Sequence, residues 1–382
     1  MTKILKILLI LSIFSVVSGP VFVFSVLIPG VNIYLSDIVI FLIGIIWLIN
    51  FKSLKRLIFP DSITKYFFFF AGISLLSLIL SPLKLSFNEI IISLLYLIRF
   101  LMYFSLYPTI VYLIKSKALT KEKVFDLLIV SGFLLSVFGW LQYFLYPDLR
   151  NLYYLGWDPH YKRIFGTQLD PNYLGLFLVM TFVLFLRKKS SVINWILRSF
   201  LFITLLFTYS RSSYLALIAA IIGFAWMKRK FTVLLAIVIF FLIFIPLLPR
   251  GPGESVRLER MFSVTERIRN LREGLNLFSR YPLLGVGFNT IRFAKSDFGV
   301  VQDNLIESHS GAGFDNSFIF IAVTTGIIGL ISYLMLLGSV YKKLEVTGKV
   351  MFLAVITHSL FVNSLFLPWI MIWWWIILGI KG

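Results

Sequence analysis

The chain has no cysteine, only three histidines and few acids: 17 Asp and Glu stand against 36 Lys and Arg in 382 residues. Without cysteine there is no disulfide framework, no thiol nucleophile and no thiolate ligand for a metal. No group of acids or histidines falls at metal-ligand spacing, so neither a metal site nor any other cofactor is expected. Charge of either sign is scarce, at 14% of residues, which argues against a soluble fold that must clothe its core in polar surface. The net charge of +19 matches a nucleic-acid binder in sign alone. Such a protein gathers Lys and Arg on one soluble face, whereas here they punctuate apolar runs, so no nucleic-acid partner is expected.

Apolar residues, in contrast, make up 59% of the chain. Stretches free of charge, such as Phe231–Leu248 and Ile370–Ile380, recur along its whole length. In lipid every backbone polar group must be satisfied within the protein, which leaves helices or closed barrels. No barrel-like alternation is present. The expected fold is therefore all-α: a polytopic integral membrane protein, one transmembrane domain over residues 1–382, with about twelve spanning helices. The expected spans are 4–28, 34–50, 63–80, 90–114, 124–146, 172–186, 192–209, 213–227, 231–249, 316–341, 349–366 and 368–380. Met1–Gly19 looks like a signal peptide, with Lys3 and Lys6 before an apolar run and Ser18-Gly19 at its end. The run continues past Pro20 to Ile28, and it is read as an uncleaved first helix.

Cytoplasmic loops of membrane proteins carry excess Lys and Arg. Lys3 and Lys6, Lys52 to Arg56, Lys115 to Lys123, Arg187 to Lys189, Lys228 to Lys230, Lys342 to Lys349 and Lys381 fall in alternate loops. Both termini are thus placed in the cytoplasm, the chain in the cytoplasmic (inner) membrane, and its functional surface outside. Two outer loops are long, 147–171 and 250–315, as functional loops often are. Outside, arginine replaces lysine: Arg150, Arg163, Arg211, Arg250, Arg257, Arg260, Arg267, Arg269, Arg272, Arg280 and Arg292, against Lys84, Lys162 and Lys295. Ion pairing with Glu254, Glu259, Glu266 and Glu273 accounts for part of this. The planar guanidinium fork also grips phosphate oxygens bidentately, and the remainder points to a phosphorylated ligand at the outer surface.

Three outer segments carry the chemistry. Ser263-Val264-Thr265-Glu266 has the form of a capping box. Val264, Ile268, Leu271, Leu275 and Phe278 follow at helical spacing, which predicts an amphipathic helix over about 264–280, lying at the interface or over the mouth of the bundle. Tyr281-Pro282 ends it, and Leu284-Gly285-Val286-Gly287-Phe288 makes a tight turn whose GxG is a weak phosphate signal. Thr208-Tyr209-Ser210-Arg211-Ser212-Ser213 is too short for an ordinary loop. Its hydroxyls can cap the next helix, whose start attracts anions, and Arg211 at that depth needs a polar cavity or a partner. In His309-Ser310-Gly311-Ala312-Gly313-Phe314-Asp315-Asn316, Asp315 or Asn316 can cap a helix; alternatively Asp315 is a general base, with His309 a second candidate. His160 lies in an aromatic loop, Trp157 to Tyr161, suited to stacking on a sugar. His358, within a span, reads as hydrogen-bonded packing.

In order and spacing these motifs resemble the O-antigen ligase and O-antigen polymerase superfamily, over roughly residues 160–335. The resemblance rests on Arg163 to Thr167 with Asp170-Pro171-Asn172, on Thr208 to Ser212, and on Arg267 ahead of Pro282 to Gly287. It ends with Asp315-Asn316-Ser317-Phe318 followed by Thr325 to Leu330. It implies an inverting, metal-independent membrane glycosyltransferase. Such an enzyme takes a glycan from an undecaprenyl diphosphate carrier and joins it to an acceptor glycan or glycolipid on the outer face. Implied catalytic residues are Asp315, Arg211, Arg267 and His309; implied substrate contacts are Arg163, Arg211, Arg267, Arg269, Arg272 and Asn316. The bilayer and a chain-length regulator are further expected partners. Ligases acting on lipid A–core carry histidine where this chain has Asp315, which favours polymerisation of repeat units over ligation. A flippase for the same carrier is the alternative of another class; it would place charges inside spans, where Arg99 is the main case.

Overall fold

A computed structural model of the chain describes residues 1–25, 31–58, 61–155, 158–229, 256, 258, 262–297 and 313–380. Among these residues the fold is almost wholly helical. Five helical stretches are long and apolar enough to cross a membrane: Thr2–Val21, Ser62–Ile79, Phe87–Lys115, Lys121–Leu145 and Ser317–Lys343. Leu35–Ile49, Pro171–Phe185, Val192–Leu206, Val346–Ser359 and Pro368–Gly379 are shorter apolar helices, and Arg211–Lys228 stands beside them. These eleven fall on eleven of the expected spans; the twelfth, 231–249, lies outside the described residues. Polar side chains in the loops start many of the helices. Asp61, Thr120, Asp170, Ser191, Ser210 and Asn316 each accept a hydrogen bond from an amide of the first turn, and Ser86 with Glu89 forms a full capping box.

The first helix departs from expectation. It stops at Ser18 instead of running through Pro20 to Ile28, and Val23–Ser25 then pairs antiparallel with Asn32–Tyr34. Gly19 takes φ 53°, and an added Cβ there would lie 2.3 Å from the Thr167 carbonyl oxygen. Pro20 cannot continue the amide ladder. The chain turns where it packs against the 166–168 turn.

Pro368–Gly379 is apolar all round and buried at every residue, as a helix at the centre of a bundle must be. Two arginines inside helices are accounted for by partners. Arg99 bonds Asp37 at 2.9 Å, and Tyr103 donates to the other Asp37 oxygen at 2.8 Å. Arg198 donates to the carbonyls of Phe185 and Lys188 at 3.1 and 2.9 Å, closing the C-terminal end of the Pro171–Phe185 helix.

Helix Ser317–Lys343 is broken at Gly326, which has φ 66°. Backbone groups freed by a break inside a membrane must find new partners, and the Pro282–Gly287 turn supplies them. Val286 and Gly287 donate amides to the carbonyls of Val323 and Thr324 at 2.9 and 3.1 Å, and Ile327 donates to that of Pro282 at 2.8 Å. A Cβ at Gly285 would lie 2.4 Å from the Val323 oxygen, and one at Gly326 would lie 2.0 Å from the Leu283 oxygen. The GxG turn is thus a docking surface for a broken helix, and this contact accounts for Gly285; a Cβ at Gly287 would instead meet Thr290 and Ser81 at 3.1 and 3.2 Å.

Contacts sort the loops into two ends. At one end Thr2 meets Tyr112, Lys343 meets Asp61, Lys188 meets Asp126 and Arg187 lies 3.9 Å from Glu345. At the other, Thr167 donates to Val17, Ser81 to Val286 and the Asp315 amide to Asn270. Among the described residues, Arg163, Arg211, Arg267, Asp315 and Asn316 lie at this second end.

Candidate functional site

The site is built on the short turn before helix Arg211–Lys228. Arg163, 3% exposed, lies behind that turn. Its Nε donates to the Thr208 carbonyl at 2.8 Å and its Nη2 to the Tyr209 carbonyl at 3.2 Å. Tyr209 is held at φ 49°, a left-handed conformation that side-chain-bearing residues seldom adopt, so the arginine fork fixes a costly backbone shape. Ser210 then caps the helix through the Ser213 amide at 3.3 Å, as the hydroxyl pattern suggested. Ser210 Oγ donates to Asn172 Oδ1 at 2.8 Å. Beneath it, His358 is fully buried; Nε2 lies 3.3 and 3.4 Å from the Ser212 and Ser213 hydroxyls, and Nδ1 lies 2.6 Å from Ser364 Oγ. His358 is therefore packing, as expected. The network locks the start of one helix to the start of another, which sets the position of Arg211.

Arg211 leaves this platform half-buried and donates to the Leu258 carbonyl at 3.2 Å. Its charge is within range of Arg267, on the amphipathic helix. That helix runs Phe262–Arg280, so Ser263 lies within its first turn rather than at its cap. Its apolar stripe faces away from the protein, which agrees with a helix lying at the interface rather than over the mouth of the bundle. Ile268, Leu271 and Leu275 are 46%, 41% and 48% exposed, while Gly274 and Leu277 are buried and Arg267 and Asn270 half-buried. The reason is Gly274, where a Cβ would lie 2.4 Å from the Ile319 side chain: the glycine permits the polar flank to approach helix Ser317–Lys343. Arg267 is thereby turned toward Arg211. Arg269 pairs with Glu266 and Glu273 of its own helix, and Arg272 is exposed.

Opposite the arginines is a set of carboxylates. Asn316 caps helix Ser317–Lys343, accepting from the Phe318 and Ile319 amides at 2.8 and 3.1 Å, and its amide donates to the Leu360 carbonyl at 3.0 Å. With Asn316 doing the capping, the Asp315 side chain is left to the recess. It touches solvent, yet the surrounding protein pushes its carboxyl above the ordinary value; Arg267 pulls it down, Asp158 pushes it up and Lys295 pulls it down. Asp158 behaves alike: burial raises it, and Arg163 and Arg267 oppose the rise. Asp170, the cap of helix Pro171–Phe185, is pushed up to about 6, by burial first and then by Asp158. The Tyr173 hydroxyl is within electrostatic range of all three acids. Lys295 is 3% exposed, donates to the Gly313 carbonyl at 3.0 Å and is lowered by burial.

Asp158, His160 and Asp170 each bring a ligand atom within 4.8 Å of the others, a grouping that sequence spacing does not reveal. Arg163 Nη1 lies 3.3 Å from His160 Nδ1. Guanidinium can only donate, so Nδ1 accepts and the ring proton sits on Nε2. In that tautomer neither ring nitrogen has a lone pair free for a metal ion, and among the described residues Nε2 is buried without a hydrogen-bond acceptor.

Arg267 is thus within electrostatic range of both Arg211 and Asp315, Arg163 lies behind them on the backbone of the turn, and Asn316 serves as a helix cap. Arg269 and Arg272 lie on the outward flank, and His309 lies outside the described residues. Asp158, Asp170, Tyr173 and Lys295 join the site without having been singled out. Asp170-Pro171-Asn172 was the available signal for one of them.

Residues 196–334 match the family model described as O-antigen ligase. That stretch begins before the Arg211 turn, includes Arg267, the Pro282–Gly287 turn and Asp315, and ends beyond Gly326. No curated protein matches the chain.

Proposed function

We propose that this member of the O-antigen ligase/polymerase superfamily is a membrane glycosyltransferase. It extends a surface polysaccharide from undecaprenyl-diphosphate-linked repeat units. The observation that carries this reading is that the charge of Arg267 reaches both a half-buried arginine, Arg211, and a carboxylate open to solvent, Asp315. The acceptor hydroxyl oxygen attacks the anomeric carbon of the donor glycan from the face opposite the leaving group. The carbon–oxygen bond to phosphate breaks, and its electron pair leaves with the diphosphate. Asp315 takes the hydroxyl proton. Its raised affinity for protons suits a base that works near neutral pH. Arg211 and Arg267 hold the diphosphate and neutralise the charge it gains, and they act more strongly in a recess than in bulk water. Arg163 acts on Arg211 through the turn it fixes.

Alternating Lys-rich loops support twelve spans with both termini inside and the recess facing outward, in the cytoplasmic membrane. Polymerisation is favoured over ligation because Asp315, not a histidine, precedes Asn316. A flippase is disfavoured because, among the described residues, Arg99 is already paired with Asp37 and Arg198 with the carbonyls of Phe185 and Lys188.

The test is chain growth by purified protein on lipid-diphosphate repeat units. Removing one transition-state donor costs about 10²–10³-fold in rate, so Arg211→Ala, Arg267→Ala and Asp315→Ala should each fall at least that far while a chelator changes nothing. Full activity in all three variants would overturn the assignment.

A further inference from the structure

At the end of the bundle opposite the recess, the starts of helices Lys121–Leu145 and Val346–Ser359 meet the ends of Pro171–Phe185 and Arg211–Lys228. They enclose a cavity of about 420 Å³. Its lining is divided. Phe125, Ile129, Val183, Phe224 and Val350 form an apolar wall, while Arg187, Lys188 and Lys228, with Glu122 and Asp126 among them, form a charged rim of net positive sign.

The lining carries three bases, Arg187, Lys188 and Lys228, against two acids, Glu122 and Asp126. Lys188 is committed to Asp126. Arg187 is held in place rather than charge-matched: its guanidinium stacks 4.3 Å from the Phe125 ring, bonds Thr347 Oγ1 at 3.4 Å and stays 3.9 Å from the exposed Glu345. A planar fork fixed over an aromatic ring keeps its outer N–H groups for an oxyanion.

We propose that this cavity binds the headgroup phosphate of an anionic phospholipid of the inner leaflet, with Arg187 and Lys228 on the phosphate and an acyl chain along the apolar wall. A free phosphate ester would use the rim alone. The joined apolar wall selects a lipid. Basic clefts between transmembrane helices on the cytoplasmic side are general sites for such headgroups. The inner-leaflet placement rests on the topology proposed above; the binding does not.

Native mass spectrometry of delipidated full-length protein tests this, with phosphatidylglycerol, phosphatidylcholine and glycerol 3-phosphate as probes. Wild type should retain phosphatidylglycerol at concentrations where phosphatidylcholine and glycerol 3-phosphate are lost. Arg187→Ala with Lys228→Ala should weaken retention about tenfold or more, each basic side chain near a lipid phosphate being worth several-fold. Lys228→Glu, which adds repulsion at an exposed position, should do the same without touching the packed wall. Lys52→Ala with Lys55→Ala, in another basic loop, should leave retention unchanged. Equal retention by the Arg187/Lys228 variants, equal retention of the neutral lipid, or equal binding of glycerol 3-phosphate would each overturn the proposal. Chain-growth activity is not part of the readout, so failure here leaves the enzymatic reading standing, and the reverse.

Discussion

Two groups of charges lie within this apolar protein, and they are built differently. The Arg99 cluster is closed: Asp37 is 3% exposed, its two oxygens take Arg99 and Tyr103, and the same carboxylate accepts from the Tyr34 amide at 2.9 Å. The recess at Arg211 is open. Asp158 and Asp315 touch solvent, Asp158 pushes both Asp170 and Asp315 toward protonation, and Arg267 opposes the rise at Asp158 and Asp315. A closed cluster serves the fold, because each member has its partner inside the protein. An open one holds charge in readiness for something that arrives.

The sharpest way to break this contrast is to remove one arginine from each. Arg99→Ala leaves Asp37 buried without its counter-charge and should cost about 3–5 kcal/mol of stability, read as a collapse in folded yield and thermal midpoint. Arg267→Ala should leave that midpoint within about 0.5 kcal/mol, as surface changes usually do, while removing chain growth. If Arg267→Ala unfolds the protein as Arg99→Ala does, the recess is structural and the contrast fails.

A smaller loss is expected from the frame that the open site leans on. Gly326→Ala places a methyl 2.0 Å from the Leu283 oxygen at φ 66°, and strain of this kind costs about 1–3 kcal/mol. Helix Ser317–Lys343 then parts from the Pro282–Gly287 turn, so proteolysis between residues 281 and 290 should rise with the fall in midpoint. An unchanged cleavage rate would detach that turn from the break.

Arg163→Lys probes the border between the two kinds of charge. Lysine keeps the cation but cannot span the carbonyls of Thr208 and Tyr209 as the planar fork does. The fold should survive, with turnover down about tenfold for the roughly 1.4 kcal/mol of lost positioning and substrate affinity little changed. A variant with full turnover would show that the Tyr209 conformation holds without the fork.

How far the sequence discloses this arrangement depends on whether a feature is local. The apolar runs, the Ser210 cap, the glycine turn and the interfacial helix are written in consecutive residues, and each appears where its pattern lies. Arg211, Arg267 and Asp315 were joined only because a family resemblance linked distant motifs. Which of its two expected placements helix Phe262–Arg280 takes was not readable, since it turns on Gly274 meeting Ile319, a contact between segments. The early stop at Ser18 has the same cause, a close approach of Gly19 to Thr167. Arg163 looked like a ligand contact and proved to hold backbone, because carbonyls leave no mark in a sequence. Asp158 and Asp170 are twelve residues apart and meet only after the loop has folded back.

The last and smallest test concerns that meeting. An open recess keeps an acid whose proton affinity is higher folded than unfolded: Asp170 moves from 3.8 to about 6. Between those values the folded protein binds the proton and the unfolded chain releases it, so stability must fall as pH rises. The contribution is full below about pH 4 and lost above about pH 6. A carboxylate in a closed ion pair has the opposite sign, losing stability as pH falls. Thermal midpoints measured from pH 4 to pH 7 should therefore slope downward. The difference between wild type and Asp170→Asn should follow the same curve, since asparagine keeps a capping oxygen but carries no proton to lose. Should the two proteins differ by a constant amount across that range, Asp170 is not protonated in the fold and its pairing with Asp158 does not govern the recess.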